Sequence, residues 1–532
     1  MNRLIDGLLL LMLGLGTSCS SETYYTSFSA VPRLFNDQLP SSRYEPPQNR
    51  FLASSPWPMT HRNPYAQASS PYAGPSSASD FSPRISSDAP PVSVTLSISA
   101  KYQSGLHAVW GYALGEVFII KSDSWEVASK LRTTEVQDDD EKGALSGAYN
   151  LIDKNNHFYV PYGQTIGKFS DLEESFNISK ENEFTIPDAL EGEMIVGMNL
   201  SFDGYIVFVT NFGRVGYLSR DFSSYSQVLI ENQNADISNS IAIDESGGIF
   251  VLTAKAIHKV QIQTGLGLSH QWEVPYQSAN GSIDGRLGGG SGTTPSLMGF
   301  GEGNDKFVVF ADGQSLMNLV LVWRDQIPEG WNGIENQHPR VAAVEPITFL
   351  PHHKHNDIDL SELTSVTEQS ILVRGYEAAV VSNKYGKPSP IMMRLVHEVS
   401  RRMNRNLSYG GKVVALSNHP RVSPKGVEKF TWSSYDRKLS STWANDEISC
   451  PNGIPSMSEP LGIMYCVGAN GPSKLLRGSP WTFEGISWLT GERVFSYELG
   501  NKFTFNSFYA GTEIGLDGSL ISGVVGGALS GN

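Results

Sequence analysis

The sequence is short of cysteine and positive charge and has no long apolar run, and each shortage closes off a class of function. Three cysteines, Cys19, Cys450 and Cys466, in 532 residues leave no room for a cysteine-built zinc module. Without a CxxCH there is no covalent haem attachment. Lys and Arg number 40 against 54 Asp and Glu, a formal charge of −14, so nucleic-acid backbones and anionic lipid surfaces would be repelled. No segment approaches the roughly 20 consecutive apolar residues of a membrane helix. HExxH, GxSxG and GxxxxGK[ST] are all absent, which removes the zincin, α/β-hydrolase and P-loop readings. GGGSG at Gly288–Gly292 has no following Lys and reads as a flexible lead into a strand.

What is abundant is glycine, 52 residues, together with 29 prolines and 10% aromatics. That mixture favours many short strands joined by tight turns over helical bundles. At the start, MNRLIDGLLLLMLGLGTSCSS sets Arg3 before an apolar core from Leu8 to Leu15 and then Gly16, Thr17 and Ser18. Residues 1–19 therefore read as a secretory signal, with Cys19 as a candidate lipid-anchor cysteine, and the localisation expected is secreted or periplasmic. In an exported chain Cys450 and Cys466, 16 positions apart around an apolar run, read as a disulfide, the alternative being two buried thiols.

Residues 20–91, as in QASSPYAGPSSASDFSP, have few aliphatic side chains. They read as a Ser/Pro-rich disordered linker with little to bury. Folding is expected from VSVTLSIS at Val92, so that 92–532 forms one domain. Within it a phrase recurs: an apolar strand, a turn of Gly, Asp or Asn, and a second apolar strand. It begins at Ser104, Ala148, Gly197, Ser240, Thr294, Glu368, Gly453 and Asn506. The turns DKNN, FDG, DESGG and LDG supply hairpin chemistry. Eight such units at spacings of about 40–85 residues predict an all-β fold, a β-propeller of eight blades with seven as the alternative. VSVTLSIS is expected to close the ring on the last blade, and Trp432, Trp443 and Trp488 to pack between blades. Insertions fall near 325–363 and 384–426. The second carries Met392, Leu395, Val396, Val399 and Met403 at helical spacing, as a short amphipathic helix over the propeller or toward a protein partner.

The repeats from Ala148 to Thr253 and the segment GISWLTGERVFSYELG resemble quinoprotein-like and senescence-marker/gluconolactonase-like propellers. SNSIAIDESGGIFVL is similar to the strand, Asp-rich turn, strand unit of the latter. The resemblance spans most of residues 100–528 and is specific for architecture. Quinone-dependent alcohol dehydrogenases commonly carry two adjacent cysteines at the cofactor, and this chain has no such pair. A quinoprotein-type dehydrogenase is thus the weakest of the enzyme readings.

In a propeller the innermost strands converge on the axis, so the residues at their starts face one another across a funnel. Here these are Asn239, Thr293, Thr294, Glu368, Asn452 and Asn506. Asn239, Glu368, Asn452 and Asn506 would suit calcium, which takes six to eight oxygen ligands. They resemble the carboxylate-and-asparagine ring of gluconolactonase-like and paraoxonase-like enzymes. That resemblance implies an axial small-molecule site and a calcium-dependent lactonase or hydrolase; the alternative is a noncatalytic binding or scaffold propeller with a packed funnel. The residue-level alternative is that the amides cap turns and Glu368 bonds neighbouring strands. HHKHND, with His352, His353, His355, Asp357 and Asp359, is a second metal candidate against a solvated loop. DDDE at Asp138–Glu141 reads as solvated. The sequons at Asn177, Asn199, Asn280 and Asn406 occur at about the frequency composition gives.

Overall fold

The computed structural model of the chain describes residues 24–25, 45–91, 93–133, 147–230, 235–263, 265–279, 290–368, 371–402, 407, 409–451, 453–473 and 478–531. Its strands form eight sheets, one per blade, antiparallel throughout except that Ser69–Ser70 runs parallel to Ser456–Ser458 of blade 7. Blade 1 runs from Ser97–Ile98 to Val127–Arg132, blade 2 from Leu151–Ile152 to Ile178–Thr185, and blade 3 from Ile195–Leu200 to Tyr225–Leu229. Blade 4 comprises Ala242–Ile243, Gly248–Leu252, Ala256–Gln263 and Gly267–Pro275. Blades 5, 6, 7 and 8 start at Ser296, Leu372, Ser456 and Glu513. The first strands of blades 1 and 2, of blades 3 to 6 in turn, and of blades 7 and 8 touch one another, which places them around a common axis. All eight repeat units seen in the sequence are blades.

Turn chemistry fixes the hairpins. Asp153 Oδ1 accepts from the N–H groups of Asn155 and His157, and Asp244 Oδ1 from those of Ser246 and Gly248. These Asx turns hold the chain reversal between the first two strands of blades 2 and 4. In the FDG turn Gly204 sits at φ +87°, a conformation that a side chain disfavours. Between blades the tryptophans pack as expected. Trp432 lies edge-on to Phe307 and Trp323 of blade 5, while Trp443 and Trp488, both buried, join blades 6 and 7 through an indole N–H donated to the Trp488 carbonyl.

Two expectations are corrected. The ring is not closed by VSVTLSIS, whose Ser97–Ile98 is instead the inner strand of blade 1, paired with Trp110 and Val109. Closure falls to Pro83–Ser86, which adds the outermost strand of blade 8 alongside Gly527–Gly531. Residues 93–99 of this stretch are all buried, as suits an inner strand enclosed by its neighbours. Residues 45–91 are also no disordered linker, because most of them are buried. Composition misled here: the segment carries few aliphatics, but its small residues and its Trp57, Tyr65 and Tyr72 fit a narrow interior. Residues 1–19, with Cys19, lie outside the described residues, as does most of 20–44.

The insertion in blade 6 holds two helices, α1 (Pro390–Arg402) and α2 (Tyr409–Ala415). Met392, Met393 and Val396 of α1 pack on a cluster of Tyr385, Val413, Val414, Leu416, Val422 and Tyr509, so the insertion lies across the ends of blades 6 and 8. Ile391 is 73% exposed on the outward face. Met403 and Arg405 lie outside the described residues.

Cys450 and Cys466 form the disulfide, linking the lead into blade 7 to that blade's second strand. Replacing both by serine is expected to lower the unfolding free energy by about 3 kcal/mol for a loop of this length. Chemical denaturation with and without dithiothreitol checks this: the reductant should bring the parent protein to the variant's stability and leave the variant unchanged.

Candidate functional site

The axis of the ring is occupied by the chain itself. Residues 49–75 lie along it, turn near His61, where the His61 carbonyl accepts from the Ala68 N–H, and run on beside blade 7, with Ser69–Ser70 paired to that blade's inner strand. Along this path carbonyl groups of the segment accept from amides of the inner strands: Trp57 from Ile98 of blade 1, Pro58 from Ile152 of blade 2, and Pro64 from Ile243 of blade 4. Tyr65 then accepts from Leu297 of blade 5, Gln67 from Val373 of blade 6, and Ala68 from Met457 of blade 7. In blade 3 a side chain mediates, with Asn199 Nδ2 donating to the carbonyls of Pro64 and Ile241. Asn199 is 1% exposed, so this sequon is not an accessible glycan acceptor.

Side chains lock the segment in place. Tyr65 donates its hydroxyl to Glu245, and the Arg324 guanidinium lies 5.2 Å over its ring. Arg62 pairs with Glu45 at 3.2 Å. Burial pushes the Glu45 carboxyl up to about 7, against the pull of Arg62. His61, Arg62, Ala66 and Ala68 all adopt positive φ, between 51° and 71°. Such backbone costs on the order of 1 kcal/mol per residue and persists where the surroundings dictate it; here hydrogen bonds to successive blades do so.

The residues expected to ring the axis are placed as follows. Asn239 is half-buried and its Nδ2 donates to Ser238 Oγ at 3.2 Å. Glu368 is buried, with its backbone N–H donated to Asn383 Oδ1 at 2.8 Å, beside Gly292 and Tyr509. Asn506 Nδ2 donates to the Val414 carbonyl at 3.2 Å, and its Oδ1 accepts from the Phe508 N–H at 2.9 Å. Asn239 thus bonds within its own loop, whereas Asn506 bonds both its own loop and helix α2 of the blade 6 insertion. Asn452 lies outside the described residues. Of the other cluster, HHKHND forms a 3-10 helix, in which His352 Nε2 meets the Ser441 carbonyl at 3.2 Å and His355 Nε2 that of Leu350 at 2.9 Å.

Among the described residues, one group of histidine and acidic side chains is close enough to hold a metal: His258, His270 and Glu273, whose donor atoms lie within 4.8 Å of one another. It stands at the outer edge of blade 4, not on the axis. His258 lies opposite Glu273 across the outer hairpin, and Val260 opposite His270. Residues three apart in a regular strand point to opposite faces. A bulge at Gln271 resets that parity, as the pairing passes from Lys259–Trp272 to Val260–His270, so His270 and Glu273 share the face of His258. His258 Nδ1 lies 3.2 Å from His270 Nε2 and 3.7 Å from Glu273 Oε2. Burial and the neighbouring His270 push the His258 ring down to about 4. The sequence signal was the hairpin IHKVQIQTGLGLSHQWEV, which places two imidazoles and a carboxylate on adjacent strands.

No protein-family model matches the chain. A protein of Archaeoglobus fulgidus, described only as uncharacterized, is 39% identical over 489 residues, which cover 91% of this chain and 88% of that one. Among solved structures, a quinohemoprotein alcohol dehydrogenase of Pseudomonas putida HK5 is similar at TM-score 0.51 and 10% identity, over 89% of this chain and 76% of that one. A europium-containing methanol dehydrogenase is similar at TM-score 0.48 and 10% identity, over 88% and 89%. At these identities the likeness is one of fold alone.

His61 generates a pH dependence. It is 4% exposed, neither ring nitrogen has a hydrogen-bond partner among the described residues, and burial holds its pKa down to about 4. The folded ring therefore stays neutral between about 6.5 and 4, while the unfolded chain takes up a proton there, so acidification favours unfolding. Between pH 6.5 and 4 the parent protein should lose about 3 kcal/mol more stability than His61→Phe. Urea midpoints at both pH values measure the difference; equal losses would mean that the buried ring carries no such linkage.

Proposed function

We propose that this chain, which belongs to the same protein family as the Archaeoglobus fulgidus relative, is an exported, noncatalytic binding propeller. Its axis is given over to its own residues, and its outer surface meets a partner. The observation that carries this reading is the filled axis: six inner-strand amides, of Ile98, Ile152, Ile243, Leu297, Val373 and Met457, donate to carbonyls of residues 57–68. An axial enzyme needs a funnel that substrate can enter. A propeller whose inner wall is hydrogen-bonded to its own chain offers its rim and its loops instead.

Two further features fit. The disulfide Cys450–Cys466 suits an oxidising compartment. No helix among the described residues is long and apolar enough to cross a membrane. The insertion with α1 and α2 presents Ile391, Arg394, His397 and Arg401 outward, Arg401 being paired with Glu398 of the same helix, and we assign the partner contact to this face. The calcium-dependent lactonase reading would need Asn239, Glu368, Asn452 and Asn506 to share one ion. The Nδ2 group of Asn239 instead donates to the adjacent Ser238, and that of Asn506 to the Val414 carbonyl of α2. A quinone-dependent dehydrogenase has the same difficulty at the axis, and lacks the adjacent cysteines besides.

The test compares calcium with EGTA. Millimolar calcium is expected to leave the melting temperature of the full chain unchanged within about 1 °C, since a ligand that does not bind the native state adds no stability. No lactone or ester should be turned over. A calcium-dependent rise that Glu368→Gln abolishes would restore the axial-enzyme reading. In the positive arm, cross-linking in the host envelope or medium should yield a defined adduct that Arg394→Glu/Arg401→Glu loses while its melting temperature holds.

A further inference from the structure

We propose that the outer edge of blade 4 binds one divalent transition-metal ion of the zinc type, through His258 Nδ1, His270 Nε2 and the Glu273 carboxylate, with a fourth position open to solvent. This inference does not depend on whether the propeller is a scaffold, because the site lies on the rim and not at the axis.

The geometry carries it. Two imidazole nitrogens bound tetrahedrally to one zinc at about 2.0–2.1 Å must lie about 3.3 Å apart. His258 Nδ1 and His270 Nε2 stand at 3.2 Å, with Glu273 Oε2 3.7 Å from the first. Two ring nitrogens at that distance cannot both present lone pairs to each other; either a proton or a cation lies between them. Thr253 Oγ1 lies 3.5 Å from His258 Nε2, but it already donates to the Ala256 carbonyl and accepts from the Lys255 and Ala256 amides, so it does not fix the ring's tautomer. Nδ1 is the nitrogen that faces His270 and Glu273, and it takes a metal in its unprotonated form.

The donor set chooses the class of metal. Two imidazoles and one carboxylate suit zinc, copper or nickel, whereas calcium and magnesium take oxygen ligands. Burial divides the roles. His258 is fully buried and fixed by the sheet, while His270 and Glu273 are exposed and can close on an arriving ion. The bulge at Gln271 supplies the register that three donors require. Once bound, the ion would clip the outermost strand Gly267–Pro275 to its neighbour Ala256–Gln263 and so secure an exposed sheet edge.

Zinc chloride titrated calorimetrically into the full chain, prepared without a histidine tag, tests the site. The expected result is one saturable ion per chain and a zinc-dependent rise in melting temperature, with a tenfold excess of calcium failing to displace the ion. His270→Ala and Glu273→Ala, both at exposed positions, should each weaken zinc at least tenfold while the metal-free melting temperature stays within about 2 °C of the parent. His258→Ala removes a buried ring, so these two variants carry the test. Absence of saturable zinc uptake below about 100 μM, or variants that bind zinc as the parent does, would overturn the proposal and leave a hydrogen-bonded histidine pair only.

Discussion

An inner strand of this propeller is only two to six residues long, and its backbone amides point toward the axis. Water cannot be the general partner for so many polar groups inside a ring whose walls are buried, and an amide buried without a partner costs about 1–3 kcal/mol. The chain answers this by placing its own carbonyls there. Residues 57–68 accept from the inner strands of six blades, and Asn199 extends the pattern to a seventh. Blade 8 is tied differently: Glu513 of its inner strand accepts from the Leu96 N–H, and the Gly511 N–H is donated to Val94. Burial pushes the Glu513 carboxyl well above its ordinary range. Much else in the molecule follows from this constraint, including the left-handed backbone at His61 and Arg62 and the charged lock around Tyr65.

The axial segment is also continuous with the strand that closes the ring. Residues 49–75 fill the centre, Phe81 stacks on Phe483 and Tyr497 of blade 7, and Pro83–Ser86 completes blade 8. The amino-terminal segment thus holds the molecule at both its centre and its seam. The surfaces proposed for a partner and for a metal both lie away from the axis, on the helical insertion of blade 6 and on the His258, His270 and Glu273 face of blade 4.

The blades were legible because each repeats a signal with a local cause: alternating apolar residues bury a strand, and Asp153, Asp244 and Gly204 force the turn between strands. Trp432, Trp443 and Trp488 were legible for a similar reason, since a large ring in an outer strand has a neighbouring blade to pack against. The axial segment was not legible. Its bonds are made by backbone carbonyls, which every residue has, and its few large side chains follow neither period. The ring at Asn239, Glu368, Asn452 and Asn506 rested on the starts of inner strands sharing one axis, a placement set by the packing of blades on one another and not by any local pattern. The blade 4 histidines were hidden by one residue: read as a regular strand, His270 and Glu273 point apart, and only the bulge at Gln271 brings them to one side.

The spacing of the axial contacts has a consequence for how such a chain can change over time. Pro64, Tyr65, Gln67 and Ala68 meet blades 4, 5, 6 and 7 in turn, so the segment works as a tally, with one mark for each successive sheet. Duplicating or deleting a blade, the ordinary way in which propellers gain and lose size, would leave a mark without its sheet or a sheet without its mark. A lineage that keeps this segment is thereby held to its blade number, and can diversify only by lengthening loops and recolouring its rim.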